Sequence, residues 1–495
     1  MAYPDLPTVL NYARTGEYRT VPVSIEMYSD MYTPIGVLRV LKKVSDHCYM
    51  FESAEDAKRW GRYSFLGFEP TMEISCRDGE MQIRNGTVFR EKTDCPGTYI
   101  REVISQYKAP RIEGLPTFTG GLVGYFSYDY MKYVEPSLKL EAEDEAHFRD
   151  VDLMLFDQVI AFDHLQQKVI LIVNMPLADT ESKVMRDYVE AGARLERLKQ
   201  LIQKGDYAPH VPLVLKSEFR PHFSKESYCG MVEKAKRHIY EGDIFQVVLS
   251  NRLEAKMEGS ILDVYRVLRT TNPSPYMFYF VSNDIEIAGA SPETLVKLEG
   301  DVLHTFPLAG TRKRGDTYEE DQALERELLA DEKELAEHNM LVDLGRNDIG
   351  KISRIGSVEV EKYKAVERFS HVMHIGSTVK GIIRGDRDYV DTIDAILPAG
   401  TLSGAPKIRA CEIIDELEDC KRGIYGGAVG YIDFTGNLDT CIAIRMAYAK
   451  NGKVYVCSGA GIVADSVPEN EYEECINKAK AVTNAVAAAG KGLEE

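Results

Sequence analysis

The chain has 495 residues, 44% of them hydrophobic and 28% charged, with 38 glycines and 20 prolines. A chain of that size and composition builds a large buried interior, which excludes fibres and disorder. Its 78 acidic and 60 basic side chains leave a formal charge of -18, a field that repels phosphate backbones and anionic lipid and excludes nucleic acid and membrane surfaces as expected partners.

Up to about residue 175 the sequence runs in short strand-like pieces, such as 151–162 and 169–173, between glycine and proline turns, so this half is expected to be mainly β. A charged helical pattern follows over 180–204, then an extended, proline-containing connector over 207–223. The domain boundary is placed there, giving 1–220 and 221–495. Ser224 caps the next helix, Phe223 and Tyr228 are spaced as a hydrophobic staple, and Gly242 ends it. A strand over 244–253, a short helix and the turn at Asn272-Pro-Ser-Pro275 lead to strands over 277–281 and 285–288. Another hairpin turns at Glu299-Gly300-Asp301. A helical stretch over 317–344 ends in a basic turn at Gly345-Arg346-Asn347-Asp348, and a further helix covers 389–397. Strands follow at 428–433, 441–449 and 454–458, then a glycine loop at Gly459-Ala460-Gly461 and a closing helix opened by Pro468. The class is α+β, antiparallel, without regular βαβ alternation.

The nine cysteines lack any Cys-x-x-Cys spacing, so they are expected to be reduced, as in a cytosolic protein. No targeting segment is recognised, and no stretch approaches the roughly 18 apolar residues of a membrane span.

Two acidic helix segments carry the clearest chemistry. Glu334 and Glu337, and again Glu471 and Glu474, are three residues apart, which places each pair on one helical face. Carboxylates without histidine or cysteine partners suit a hard, hydrated ion such as Mg²⁺. Taken singly, each pair reads first as a solvated face or as compensation of a helix dipole; only convergence makes a site. Arg445, in an otherwise apolar strand, implies a bound carboxylate or an acidic partner, because an unpaired buried guanidinium is costly. His374 in an apolar run reads as a core histidine or a catalyst, and Glu293, just past a strand end, as a turn residue or a general acid. The Gly459-x-Gly461 run lacks the immediate helix of a dinucleotide fingerprint, and there is no glutaminase-like Gly-x-Cys-x-Gly.

Together the segments Gly242-Asp-Ile-Phe-Gln-Val-Val-Leu-Ser250, Ala290-Ser-Pro-Glu293, Pro307-Leu-Ala-Gly-Thr311, Glu337-His-Asn-Met-Leu-Val-Asp-Leu-Gly-Arg-Asn-Asp348, Gly404-Ala-Pro-Lys407 and 471–478 resemble the chorismate-utilising enzymes, specifically the large component of the anthranilate-forming branch. The resemblance is dense over 221–490 and extends to Met50-Phe-Glu-Ser53 and Gly61-Arg-Tyr-Ser-Phe65. It implies an α+β fold with a large orthogonal antiparallel β-sandwich. It also implies Mg²⁺ held directly by Glu337 and Glu474, with Glu334 and Glu471 holding its waters. Chorismate is expected among Gly310, Thr311, Thr401, Tyr425, Arg445, Gly459, Ala460, Gly461 and Lys478. Glu293 resembles the acid assisting departure of the ring hydroxyl, and His374 the residue aiding loss of pyruvate. Thr401 is grouped with these two catalytic residues.

Two positions sort the family. The lysine that activates water in isochorismate-forming members falls at Gln246, and the lysine nucleophile of many aminodeoxychorismate-forming members falls at Ala309. Ammonia is therefore the expected nucleophile, supplied from glutamine by an amidotransferase small subunit in a complex of two large and two small subunits. The aminodeoxychorismate-forming component of folate biosynthesis is the alternative. Tryptophan is the implied effector, at Glu52, Ser53, Pro275, Tyr276, Met277 and Cys441. Glu52 is expected to meet its ammonium group and Met277 its indole. Cys441 and Arg445, four apart on one expected strand, would share a face.

Overall fold

The computed structural model describes residues 2–53, 61–368 and 372–493. Its strands form two large sheets, of 13 and 12 strands, and each strand pair within them is antiparallel. Both sheets contain strands from both sides of residue 220. In the first, Cys48–Glu52 pairs with Tyr276–Val281, with Glu52 opposite Met277. In the second, Gly121–Phe126 pairs with Ala428–Asp433. The boundary expected at 220 therefore interrupts neither sheet, and one buried cluster runs between them, from Tyr49, Phe118 and Phe156 to Phe278, Val429 and Tyr431.

Helices cover the other face of the first sheet, where Leu195, Tyr265, Val482 and Val486 pack on Met50, Leu171, Met277 and Tyr279. The chain is α+β, as its pattern predicts. The first half is nevertheless less purely β than expected. It includes helices at Leu6–Thr15, Pro34–Val44 and Pro96–Ser105, each with proline in its first turn, the first two capped by Asp5 and Thr33.

Three later elements also depart from the sequence reading. The helical stretch after Thr317 is two helices, Tyr318–Ala330 and Glu332–Gly350, because Asp331 accepts from the amides of Lys333 and Glu334 and starts the second afresh. The expected turn at 345–348 is the last part of that second helix. Inside it, Asp348 binds Lys407 at 2.8 Å, so these polar residues serve a tertiary contact rather than a reversal. Gly459, Ala460 and Gly461 belong to the strand Lys453–Ile462, opposite Ser250, Leu249 and Val248. Among the described residues no helix is long and apolar enough to cross a membrane.

Candidate active site

Two of the points at which the chain passes from one sheet to the other are neighbours. Glu286–Ser291 lies in the first sheet and Thr294–Glu299 in the second; Leu438–Ile442 lies in the second and Met446–Lys450 in the first. The crossings are tied together. Ser291 Oγ donates to the Ile442 carbonyl at 2.7 Å, the Ile442 amide to Glu293 at 3.0 Å, and the Ala290 amide to Arg445 at 3.0 Å. Glu293 occupies one crossing and Arg445 the other, with Arg445 at φ +53°. The single strand expected over 441–449 is thus two, and Cys441 and Arg445 share no face. Their even spacing loses its meaning once the chain changes sheets between them.

Thr401, in the short 3₁₀ turn Gly400–Leu402, donates to Glu293 Oε1 at 3.2 Å. Burial pushes the Glu293 carboxyl up to about 7, so it holds a proton near neutrality. Arg445 donates to the Lys478 carbonyl at 2.9 Å and takes part in no ion pair among the described residues. Burial holds its pKa below the usual guanidinium value. A charge so enclosed, with one carbonyl for company, calls for an anionic ligand.

Across the groove, the strands Leu308–Lys313 and Val372–Ile382 set Thr311 opposite His374. Gly310 sits at a bulge with φ +66°, where a Cβ would lie 3.1 Å from Glu334 Oε2. Its carbonyl, turned inward, accepts from His374 Nδ1 at 2.8 Å, and Thr311 Oγ1 is 3.1 Å from the same nitrogen. That bond assigns the proton to Nδ1. Burial, with Arg445 nearby, keeps the imidazole below its usual pKa and neutral.

The two acidic helices approach each other. Glu334 and Glu337 lie on Glu332–Gly350, Glu471 and Glu474 on Pro468–Ala489, and the charges of Glu337 and Glu474 act on one another across the gap. Burial first, then Glu334, raises the Glu337 carboxyl; burial, with Glu474 adding, raises Glu471. Negative charge held together against its own repulsion is what a bound cation relieves, and an all-oxygen donor set suits a hard ion. Among the described residues no three of these carboxylates bring oxygens within 4.8 Å of one another, so these side chains do not by themselves form a closed cage. Lys478 pairs with Glu474 at 2.7 Å and donates to the Gly459 carbonyl at 3.2 Å, and Arg312 reaches Glu334 at 3.5 Å. The Arg312 contact had no spacing signal in the sequence.

The strand Lys453–Ile462 forms the floor of the groove. Met446–Lys450 pairs with it only as far as Val456, so the edge carrying Gly459, Ala460 and Gly461 lacks that neighbour. A Cβ on Gly459 would fall 3.1 Å from the Tyr425 hydroxyl, and one on Gly461 would fall 2.7 Å from Gln246 Nε2. Gly459 also has the Leu249 carbonyl 2.8 Å from where a Cβ would fall, fixed backbone that resists any side chain there, whereas Gln246 can move from over Gly461.

Glu52, Ser53, Pro275, Tyr276, Met277 and Cys441 all line one cavity of 380 Å³ between the sheets. Their expected roles change. Strand alternation turns Glu52 and Met277 toward the helix-covered face. There Glu52 accepts from Arg269 at 2.8 Å, Tyr265 at 2.7 Å and Ser64 at 3.0 Å, and Met277 packs in the outer core. Glu52 thus already has a basic partner, with which a ligand's ammonium group would share or exchange its carboxylate. A second acid lines the cavity, Asp439, which sequence reasoning missed. It accepts from the Tyr276 hydroxyl at 2.8 Å and has Lys297 at 3.9 Å. Aromatic walls come from Tyr63, Tyr276 and Tyr431.

A groove with a carboxylic acid raised by burial, an arginine outside any ion pair among the described residues and two acidic helix faces has the composition of an enzyme site for an anionic ligand. Residues 10–484 match the model of the chorismate binding enzyme family, and the chain belongs to that family. It is 46% identical over 500 residues to anthranilate synthase component 1 of Acetivibrio thermocellus, across 99% of this chain and 100% of that protein. It also resembles the crystal structure of anthranilate synthase component I from Streptococcus pneumoniae TIGR4, with a TM-score of 0.75 and 40% identity over 85% of this chain and 92% of that one. The menaquinone-specific isochorismate synthase MenF of Escherichia coli shares the fold, at TM-score 0.69 and 18% identity over 97% of this chain and 98% of that one.

Proposed function

We propose that the chain is the large component of an anthranilate synthase, converting chorismate and ammonia to anthranilate and pyruvate in the cytoplasm for tryptophan biosynthesis. The observation that carries this reading is the meeting of Glu293, Arg445 and the four glutamates in one groove, on a chain similar throughout to components of that name. Arg445 and Lys478 bind substrate carboxylate, together with amides of the Gly459–Gly461 edge. Glu293, protonated near pH 7 and oriented by Thr401, gives its proton to the departing ring hydroxyl, which leaves as water while ammonia bonds to the ring carbon next to the carboxylate-bearing one. His374, neutral and fixed by Gly310, stands on the opposite wall to assist elimination of pyruvate. Glu337 and Glu474 would hold Mg²⁺, with Glu334 and Glu471 around its waters. When bound, the ion supplies positive charge against a substrate carboxylate.

Ala309 has no nucleophilic atom and Gln246 is no general base near neutrality, which favours ammonia over a lysine adduct or water. The 380 Å³ cavity is the proposed tryptophan site: Asp439 receives the ammonium group, Ser53 offers a hydroxyl and the tyrosines pack on the indole. The assembly is completed by an amidotransferase subunit, two of each. Purified chain incubated with chorismate, ammonium and Mg²⁺ should yield anthranilate; a para-aminated product or isochorismate refutes the reading.

A further inference from the structure

One mixed cluster of metal-ligating side chains has no part in the groove. His222, Asp419 and Cys420 bring a ring nitrogen, a carboxylate oxygen and a thiol sulfur within 4.8 Å of one another, with His222 and Asp419 exposed and Cys420 half-buried. The histidine and the carboxylate, 2.8 Å apart, are by themselves an ordinary surface ion pair. The sulfur changes what the cluster can hold. Nitrogen, oxygen and thiolate together suit a divalent ion of borderline softness such as Zn²⁺, in contrast to the oxygen-only carboxylates proposed for Mg²⁺.

Anchored backbone presents these donors. The His222 amide donates to the Arg252 carbonyl at 2.7 Å, just beyond the pairing of Arg220–Pro221 with Gln246–Glu258. Asp419 and Cys420 lie in the turn after the Lys407–Leu417 helix. Before them, Glu418 accepts from the Ser250 amide at 2.6 Å and from its hydroxyl at 2.9 Å. After them, Arg422 donates to Glu418 at 2.8 Å and to the Leu402 carbonyl at 2.6 Å. The Glu143 amide donates to the Asp419 carbonyl at 3.3 Å, and the Lys421 amide to the Glu143 carbonyl at 2.9 Å. Donors held in this way lose little further freedom when an ion joins them. Arg252 supplies a second observation. It is buried, its Nε has no hydrogen-bond partner among the described residues, and Cys420 is foremost among the groups whose negative charge would act on it. An unpartnered guanidinium nitrogen is costly, and a thiolate at Cys420 answers it. Burial raises the Cys420 thiol to about 12, with Arg252 opposing the rise, so the ion displaces a proton as it binds.

We propose that His222, Asp419 and Cys420 form a second metal site, for Zn²⁺ or another divalent ion of borderline softness, with its remaining position open to water. Co²⁺ is the probe, because a thiolate ligand gives it a near-ultraviolet charge-transfer band that carboxylate and imidazole ligands do not. The full chain, stripped of metal and titrated with Co²⁺ in excess Mg²⁺, should develop this band, and added Zn²⁺ should remove it. Cys420→Ser should lose the band, and His222→Ala should weaken Co²⁺ binding at least about tenfold. Cys95→Ser and Cys229→Ser, at an exposed and a half-buried cysteine elsewhere, should keep the band at wild-type affinity. Circular dichroism establishes that each variant folds; should Cys420→Ser fail to, His222→Ala, at an exposed position, carries the test alone. Absence of the band from the wild-type chain would overturn the site. So would a band that survives Cys420→Ser, one lost in Cys95→Ser or Cys229→Ser, or an affinity unchanged by His222→Ala.

Discussion

The groove and the cavity between the sheets use the same two sheet crossings in opposite ways. In the groove, charges are left with few partners: Arg445 has one carbonyl, Glu293 one threonine, and Glu337 has Glu334 and Glu474 as charged neighbours, themselves paired with Arg312 and Lys478. In the cavity the charges are already matched, Asp439 by Tyr276 and Lys297, and Glu52 by Arg269. The first is arranged for a ligand that brings opposite charge and reacts. The second is arranged for a ligand that exchanges one set of hydrogen bonds for another. The two sites touch through few atoms: Tyr276, which donates to Asp439, accepts from Thr294, the neighbour of Glu293, at 3.1 Å. That contact is how occupancy of one site reaches the other in the proposed regulation, provided tryptophan binds a less active arrangement better.

The largest effect that separates the two sites is expected from Glu293→Gln. Loss of the acid should lower kcat with ammonium by about 10²–10⁴-fold and leave tryptophan binding, read by calorimetry, unchanged; an equal loss at both sites would merge them into one. Glu337→Gln and Glu474→Gln come next. Each should raise the Mg²⁺ concentration for half-maximal activity by about 10–100-fold while the fold, followed by circular dichroism, persists. Normal turnover at limiting Mg²⁺ in both variants would remove the metal from this pocket.

On the cavity side, Ser53→Phe should fill the space and abolish inhibition by tryptophan, and Asp439→Asn should weaken it about tenfold, both with ammonium-dependent turnover retained. Inhibition unchanged in the Asp439 variant would return the ammonium contact to Glu52. The smallest effect concerns stability. Glu293 titrates near 7 when folded, against an ordinary carboxylate value of 4.5. The folded state therefore holds an extra proton between those values, and stability falls as pH rises from about 4.5 to 7. Glu293→Gln should remove that loss, so its Tm should exceed that of wild type at pH 8 and match it at pH 4. A constant difference at both pH values would place the ionisation elsewhere.

Local signals in the sequence were enough for much of the chain. Ser224 and Gly242 bound their helix, with Gly242 at φ +87°, because capping is settled within one turn. The three-residue spacing of Glu334 and Glu337, and of Glu471 and Glu474, put each pair on one helical face for the same reason. Ordered motifs carried the family, since the residues that resemble it lie in short contiguous segments. Tertiary structure alone decided which way the strands sent their side chains and which charges met. Glu52 and Met277 reach the cavity wall but turn their side chains outward. Arg445 left its expected strand because the chain changes sheets at that point. Asp439, unmarked by any spacing, became a second acid of the cavity. Helix caps and spacings are set by neighbours a few residues away, whereas a strand's inner face, and the partner of a buried charge, are set by chains more than a hundred residues distant that pack on it.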